Sequence, residues 1–181
     1  MIITIGGQQG AGKTTIAHML ADKLGYQFYS AGNLKRQMAL DKGMTLAEFN
    51  KMIANDEFAD KEVDAYTKKL GEEKDNLVFD GQLAHYFIPD SFKIFLKATL
   101  MERAKRIFEM KREEQKFENV NDTIKAIGDR DEADTLRYEK FHNIKDHLSE
   151  KGFDAVIDTS DISQKKVVDK ILEILSQKRL I

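Results

Sequence analysis

The sequence predicts an α/β fold, in which a five-stranded parallel sheet forms the middle of three layers and helices cover both of its faces. Two observations predict it. Short apolar segments rich in β-branched residues alternate with longer segments of helical periodicity, the pattern of a parallel sheet with right-handed crossovers. A glycine-rich segment also separates the first predicted strand from the first predicted helix. The 181 residues suit one domain of this kind.

The glycine-rich segment reads Gly-Gln-Gln-Gly-Ala-Gly-Lys-Thr-Thr and matches the phosphate-loop (P-loop) pattern Gly-x4-Gly-Lys-Ser/Thr. Residues 1–5 before it are typical of a buried strand, and 16–24 after it are helical. Glycines let the backbone fold around a phosphate chain with its N–H groups pointing inward, and the helix N-terminus adds positive charge. The sequence therefore predicts a nucleoside triphosphate site formed by Gly7, Gln8, Gln9, Gly10, Ala11, Gly12, Lys13, Thr14 and Thr15.

The other elements follow in order. Further strands are predicted at 27–29, 76–82, 92–97 and 153–159. Helices are predicted up to about residue 41, from Thr45, over about 56–70, from Thr99 through Arg112, over about 120–141 and around 167–175. Ligands of such sheets bind beyond the carboxyl ends of the strands. We therefore expect Gly7, Ser30, Asp80 and Asp158 to lie along one rim.

Asp80 ends an apolar strand, where a carboxylate is costly unless something uses it. In a phosphate-loop protein the expected user is Mg²⁺, held together with the hydroxyl of Thr14, while Lys13 reaches the terminal phosphates. The alternative is that Asp80 is an ordinary turn or N-cap aspartate.

Arginine is scarce in this chain, with seven residues against 22 lysines, and a planar guanidinium suits phosphate binding. Arg130, Asp134 and Arg137 have the spacing i, i+4, i+7 and share one helix face. That face is either a self-paired surface ladder or the lining of the cleft.

Arg106 and Arg112 lie in a basic segment, about 103–120, that is predicted to act as a lid over the phosphates. The four histidines form no catalytic motif.

Composition narrows the function classes. Hydrophobic residues make up 41% and charged residues 33% of a chain whose net charge is −2, so no positive field recruits nucleic acid or an anionic membrane. Without cysteine there is no disulfide, zinc–thiolate site or thiol catalysis. No apolar run has membrane-spanning length, and the phosphate loop begins too early to leave room for a signal segment. We expect a cytoplasmic monomer that binds neither nucleic acid nor membrane.

Several segments together resemble the short archaeal-type cytidylate kinases, within the P-loop nucleoside monophosphate kinases. They are Ser30-Ala-Gly-Asn-Leu-Lys-Arg36, Asp80-Gly81, Glu102-Arg-Ala-Lys-Arg106, Arg130-x3-Asp134-x2-Arg137-Tyr138 and Asp154-Ala-Val-Ile-Asp-Thr-Ser160. The resemblance runs in order along nearly the whole chain. It implies ATP-dependent, Mg²⁺-assisted phosphorylation of CMP or dCMP by a single domain, 1–181, with an acceptor-binding helical insertion at about 31–73.

The resemblance also implies roles for individual residues. Those implied for the acceptor nucleotide and its phosphate are Ala31, Gly32, Arg36, Lys61, Arg130, Asp134 and Arg137. Asp134 would accept a hydrogen bond from the exocyclic amine of cytosine. Those implied for catalysis are Lys13, Arg106, Arg112 and Arg130. The end of the last strand, Thr159-Ser160, would border the ATP base.

One position departs from the family pattern. After Asp80-Gly81 the family usually has an arginine that grips the acceptor phosphate, and here the substrate-side residue is Gln82. A neutral amide in place of a bidentate cation costs ~1.5–3 kcal/mol of binding. Either another cation compensates, or the acceptor or its affinity differs.

Two rival functions therefore stay open. The first is a kinase for another small acceptor, such as AMP, UMP or a metabolite. The second is a nucleotide-gated ATPase or binding module. A GTPase switch is disfavoured because Asn50-Lys51-Met52-Ile53 lacks the aspartate of a guanine-reading motif.

Overall fold

A computed structural model describes residues 1–110 and 117–181. Its centre is a five-stranded sheet in which every pairing is parallel, with the strand order β2-β3-β1-β4-β5. The strands are β1 Ile2–Gly7, β2 Gln27–Ser30, β3 Leu77–Asp80, β4 Phe92–Lys97 and β5 Ala155–Asp158. The predicted fold class and strand number are confirmed.

Helices connect the strands. They are α1 Lys13–Leu24, α2 Ala31–Asp41, α3 Leu46–Asn55, α4 Glu57–Glu73, α5 Ala84–Phe87, α6 Leu100–Glu109, α7 Val120–His142 and α8 Gln164–Gln177. Most of these helices have an N-cap residue whose side-chain oxygen accepts a hydrogen bond from an N–H group of the first turn. Ser30 does this for α2, Thr45 forms a full capping box for α3, and Thr99, Asn119 and Ser163 cap α6, α7 and α8.

Three helices differ from the prediction. Helix α4 continues through Gly71, because the glycine there serves close packing: a Cβ at this position would lie 2.8 Å from Ile88 Cγ1. The short helix α5 was not predicted, since four residues carry too little periodicity to detect. Helix α6 ends at Glu109, whereas the sequence predicted a helix that includes Arg112, which lies outside the described residues.

Both faces of the sheet are covered. Helices α1 and α8 pack on one face against alternate strand residues, including Ile3, Ile5 and Ile94. On the other face, Leu77 and Phe79 pack against residues of α4 and of the α5 region. Because both faces are buried, the strands read as nearly continuous apolar runs, as the sequence showed.

The carboxyl ends of the strands lie at one edge of the sheet. Asp80 pairs in register with both Ile5 and Ser30, and Lys97 pairs with Asp158. Helices α2, α3 and α4 are inserted at this edge between the neighbouring strands β2 and β3. Their extent, 31–73, coincides with the predicted acceptor-binding insertion, whose role stays a prediction, as does that of the lid. In the described ranges no helix is both long and apolar enough to cross a bilayer.

Candidate active site

The loop between β1 and α1 has a backbone that only glycine can follow. Gly7, Gly10 and Gly12 have φ values of 119°, 82° and 95°. A Cβ on Gly7 would collide with the backbone of Leu96, and one on Gly10 would lie 2.8 Å from the carbonyl oxygen of Arg103. The predicted phosphate loop therefore stands where the first strand meets the first helix, held against β4 and α6.

Lys13, the first residue of α1, folds back over this loop. Its Nζ donates to the carbonyl oxygens of Gly7, at 2.7 Å, and Gln8, at 2.9 Å. Burial lowers the pKa of Lys13 to about 8, and the charge of Asp80 opposes that shift. The ammonium is thus desolvated, and within the described part of the chain it bonds only to neutral carbonyls, an arrangement that favours binding of an anionic phosphate.

Asp80 collects two hydroxyl groups at the tip of β3. Thr14 Oγ1 donates to Asp80 Oδ2 at 2.6 Å, and Ser30 Oγ donates to the same oxygen at 3.2 Å. Asp80 is buried. One carboxylate and two hydroxyls form an all-oxygen group of the kind that Mg²⁺ prefers. The residues present therefore fit the predicted magnesium site.

The predicted face of α7 points towards the phosphate loop. Arg137 Nη2 donates to Asp134 Oδ1 at 2.8 Å, and Arg130 Nε lies 3.8 Å from Asp134 Oδ2. The charges of Arg130 and Asp134 act on the pKa of Lys13, in opposite directions. Arg137 is buried and also bonds to Asp60 of another helix, so this face is not an isolated surface ladder. That it lines the cleft stays a prediction.

Asp60 on α4 completes this cluster and was missed by sequence reasoning. Its Oδ1 accepts from Arg137 Nη1 at 3.0 Å, and its Oδ2 lies 2.9 Å from His142 Nε2. Asp64 Oδ2 lies 3.1 Å from the same histidine nitrogen. Burial raises the pKa of Asp64 to about 6, and the charge of Asp60 acts in the same direction.

A signal for Asp60 is present in the sequence. It occupies a buried helical stripe with Val63, Thr67 and Leu70, at three- and four-residue spacing. An acid in a stripe that faces the interior needs a buried partner. Nothing in the sequence names Arg137, 77 residues away, as that partner.

Arg106 bonds to the end of β5 in this structure. Its Nη1 donates to Thr159 Oγ1 at 3.0 Å, and its Nη2 donates to the carbonyl oxygen of Thr159 at 2.5 Å. A cavity of about 500 Å³ opens beside it and is lined by Ala11, Gly12, Ile16, Met19, Arg106, Thr159, Ile162, Ser163, Gln164, Lys165 and Val167. The predicted border of the ATP base thus faces a cavity next to the phosphate loop.

The predicted acceptor residues are spread more widely. Ala31, Gly32 and Arg36 lie in the first two turns of α2, where Arg36 Nη1 donates to Asn33 Oδ1 at 3.2 Å. Gln82 is half-buried, two residues beyond Asp80.

Two other predicted residues, Lys61 and Arg112, are not placed at the site by the described residues. Lys61 is exposed and pairs with Glu57 at 2.5 Å, so the structure does not bring it to the Arg137 cluster. Arg112 lies outside the described residues.

The known proteins that this chain resembles belong to the class of enzymes that the sequence predicts. The family model of the cytidylate kinase-like family matches residues 2–161. The cytidylate kinase of Methanobrevibacter smithii is 37% identical over 97% of this chain and 98% of its own length. That of Methanocella arvoryzae is 36% identical over 98% of both chains.

Among solved structures, shikimate kinase from Acinetobacter baumannii has a TM-score of 0.68 at 18% identity, covering 99% of this chain and 95% of its own, which shows a shared fold. The family model and the full-length relatives establish more than the fold. The chain belongs to the cytidylate kinase-like family of nucleoside monophosphate kinases.

Proposed function

We propose that this enzyme transfers the γ-phosphoryl group of ATP to CMP or dCMP, in line and with Mg²⁺, to give the nucleoside diphosphate. The observation that carries the proposal is that α7 lies beside the phosphate loop. Arg103 Nη1 donates to the carbonyl oxygen of Gln9 at 3.3 Å and lies 3.8 Å from Asp131 Oδ2 on α7. A phosphoryl donor held on the loop and an anionic acceptor held on α7 would therefore be neighbours.

The donor half uses the loop, the cavity and Asp80. Backbone N–H groups of the loop and Lys13 would hold the ATP phosphates, while the cavity beside Thr159 would take the adenosine end. Thr14 and Asp80 would hold Mg²⁺, directly or through water. Held there, the ion would supply positive charge that offsets the negative charge developing on the phosphates during transfer.

The acceptor half uses the α7 face and the first turns of α2. Arg130 and Arg137 would bind the acceptor phosphate, and Asp134 would accept a hydrogen bond from the exocyclic amine of cytosine. An ionised carboxylate only accepts hydrogen bonds, so it disfavours uracil, which presents a carbonyl oxygen at the same position. This supports a preference for CMP and dCMP over UMP.

A coupled assay of ADP formation with CMP, dCMP, UMP and AMP tests the proposal, and Gln82 is the reason for the wide panel. We expect CMP or dCMP to give the highest kcat/KM. An acceptor that exceeds both by tenfold would overturn the substrate assignment. ATP hydrolysis that no nucleoside monophosphate stimulates would overturn the kinase proposal itself.

A further inference from the structure

We propose that Lys35 is a further binding residue for the phosphate of the acceptor nucleotide, where it supplies the positive charge that Gln82 cannot. This inference rests on the proposed function and extends it to a residue that the sequence patterns did not single out. Of the two possibilities left open by the departure at Gln82, it takes the first, a compensating cation.

The register of α2 turns Lys35 inward. Ala31, Lys35 and Ala39 have the spacing i, i+4, i+8 and therefore share one face of the helix. Ala31 packs against the apolar cluster that contains Phe79, and Ala39 is buried in the cluster with Phe49. Lys35 is half-buried between these two anchored positions.

Two arginines and two aspartates act on the charge of Lys35, and both aspartates are hydrogen-bonded to Arg137. The charge of Lys35 interacts with those of Arg137, Asp134, Asp60 and Arg130. Asp134 and Asp60 both accept hydrogen bonds from Arg137. In the ranges that the structure describes, no carboxylate oxygen pairs with Lys35 Nζ within 4.0 Å.

Burial on the inward face of α2 makes the charge of Lys35 costly unless an anion comes close. Burial lowers the pKa of Lys35 to about 8, the charges of Arg137 and Arg130 act in the same direction, and those of Asp134 and Asp60 oppose them. A desolvated ammonium beside two guanidinium groups gains most from a dianion that all three can share. A phosphate monoester has that charge.

Lys35 and Gln82 approach the site from neighbouring strands. Ser30 at the end of β2 is in register with Asp80 at the end of β3. Lys35 lies in the second turn of the helix that Ser30 caps, and Gln82 lies two residues beyond Asp80. A cation carried by α2 can therefore serve the same end of the cleft as one that follows β3.

Calorimetric titration of the full chain tests the inference with the monophosphate that gives the highest turnover, the matching nucleoside and ATP. Lys35→Met removes the charge and keeps the length of the side chain, Lys35→Arg keeps the charge, and Lys51→Met is the control. Lys51 is an exposed lysine of the same insertion, on α3. We expect Lys35→Met to weaken binding of the monophosphate at least tenfold, with binding of ATP and of the nucleoside within twofold of wild type.

A pH arm separates a phosphate contact from a structural role. Since an anion stabilises the charged form of Lys35, monophosphate binding at pH 8.5 is expected to take up protons from the solvent. Titrations in buffers of different ionisation enthalpy measure that uptake. Lys35→Arg, which stays charged at this pH, should bind the monophosphate with less uptake than wild type.

The outcomes are distinct. If wild type binds no nucleoside monophosphate, the proposed function fails, and this inference with it. If wild type binds one and Lys35→Met binds it within twofold, or weakens ATP and the nucleoside equally, the inference alone is overturned. Should Lys35→Met fail to fold, unchanged proton uptake by Lys35→Arg overturns it, and reduced uptake supports it.

Discussion

Arg137 and Asp60 form a buried ion pair that joins α7 to the helical insertion. Arg137 Nη1 donates to Asp60 Oδ1 at 3.0 Å, and the two side chains are 6% and 4% exposed. The second terminal nitrogen of the same guanidinium donates to Asp134. The orientation of Arg137, a proposed acceptor-binding residue, therefore depends on a carboxylate from another helix.

Removing that charge should affect both folding and acceptor binding. In Asp60→Asn, Arg137 keeps a neighbour of the same shape but loses a buried counter-ion, so we expect the free energy of unfolding to fall by about 3 kcal/mol. The KM for CMP should rise with little change in the KM for ATP. Urea denaturation and steady-state kinetics measure these effects. Glu62→Gln, an exposed α4 residue 4.0 Å from Lys42, is the control; an equal loss of stability in that variant would contradict the argument.

Lys13 should matter for turnover far more than for folding. Its ammonium bonds to loop carbonyls and is placed to stabilise charge on the transferred phosphoryl group, so Lys13→Ala should lower kcat by ~100-fold or more. Circular dichroism and the melting temperature should remain close to wild type. Lys23→Ala, an exposed residue in the last turn of α1, provides the control. Normal turnover in Lys13→Ala would remove this residue from the mechanism.

Asp80 should set the magnesium requirement. Asp80→Asn retains an oxygen near Thr14 but loses the negative charge, so the Mg²⁺ concentration for half-maximal activity should rise by ~10-fold or more. Activity measured against total Mg²⁺ at saturating ATP tests this. Asp90→Asn changes an exposed acid in the turn before β4 and should leave the curve unmoved. A matching curve for Asp80→Asn would argue against the proposed ion site.

Asp64 should make stability depend on pH in a defined direction. Its pKa is raised from 3.8 to about 6 by burial and by Asp60, so the folded state binds the extra proton between these pH values. The stability that protonated Asp64 contributes is therefore present below pH ~4 and lost as the pH rises through about 6.

Asp64→Asn keeps the neutral form at every pH. Relative to wild type, it should add about 1–3 kcal/mol to the free energy of unfolding at pH 8 and little at pH 4. Denaturant unfolding at the two values measures the difference. An effect of equal size at both would show that the Asp64 charge is not the cause.

The parts of the site that could be predicted are those with local causes. The phosphate loop depends on the backbone conformations of residues that are close in sequence. The capping box at Thr45 depends on two residues three positions apart. Short segments of sequence are therefore enough to predict both. The strand that ends in Asp80 was predictable for the same reason. What the sequence could not show is which distant residues meet.

The tertiary fold pairs Asp60 of the insertion with Arg137 of α7. It also brings Lys35 within range of the charges on α7. Lys61, whose role stays a prediction, shows the same limit. It is one residue from Asp60 on α4, and a rotation of about 100° along the helix turns it to solvent. A helix can be predicted correctly while the side of it that faces the cleft is not.

Thr14 and Ser30 donate hydrogen bonds to the same oxygen of Asp80. Ser30 Oγ also accepts a hydrogen bond from the N–H of Asn33. The hydroxyl that donates to Asp80 is therefore also the N-cap of α2, the helix that carries Lys35 and Arg36. Asp80 and Ser30 would therefore connect a bound Mg²⁺ to the N-terminus of the helix next to the proposed acceptor site. Coupling of this kind would make the two substrates bind synergistically.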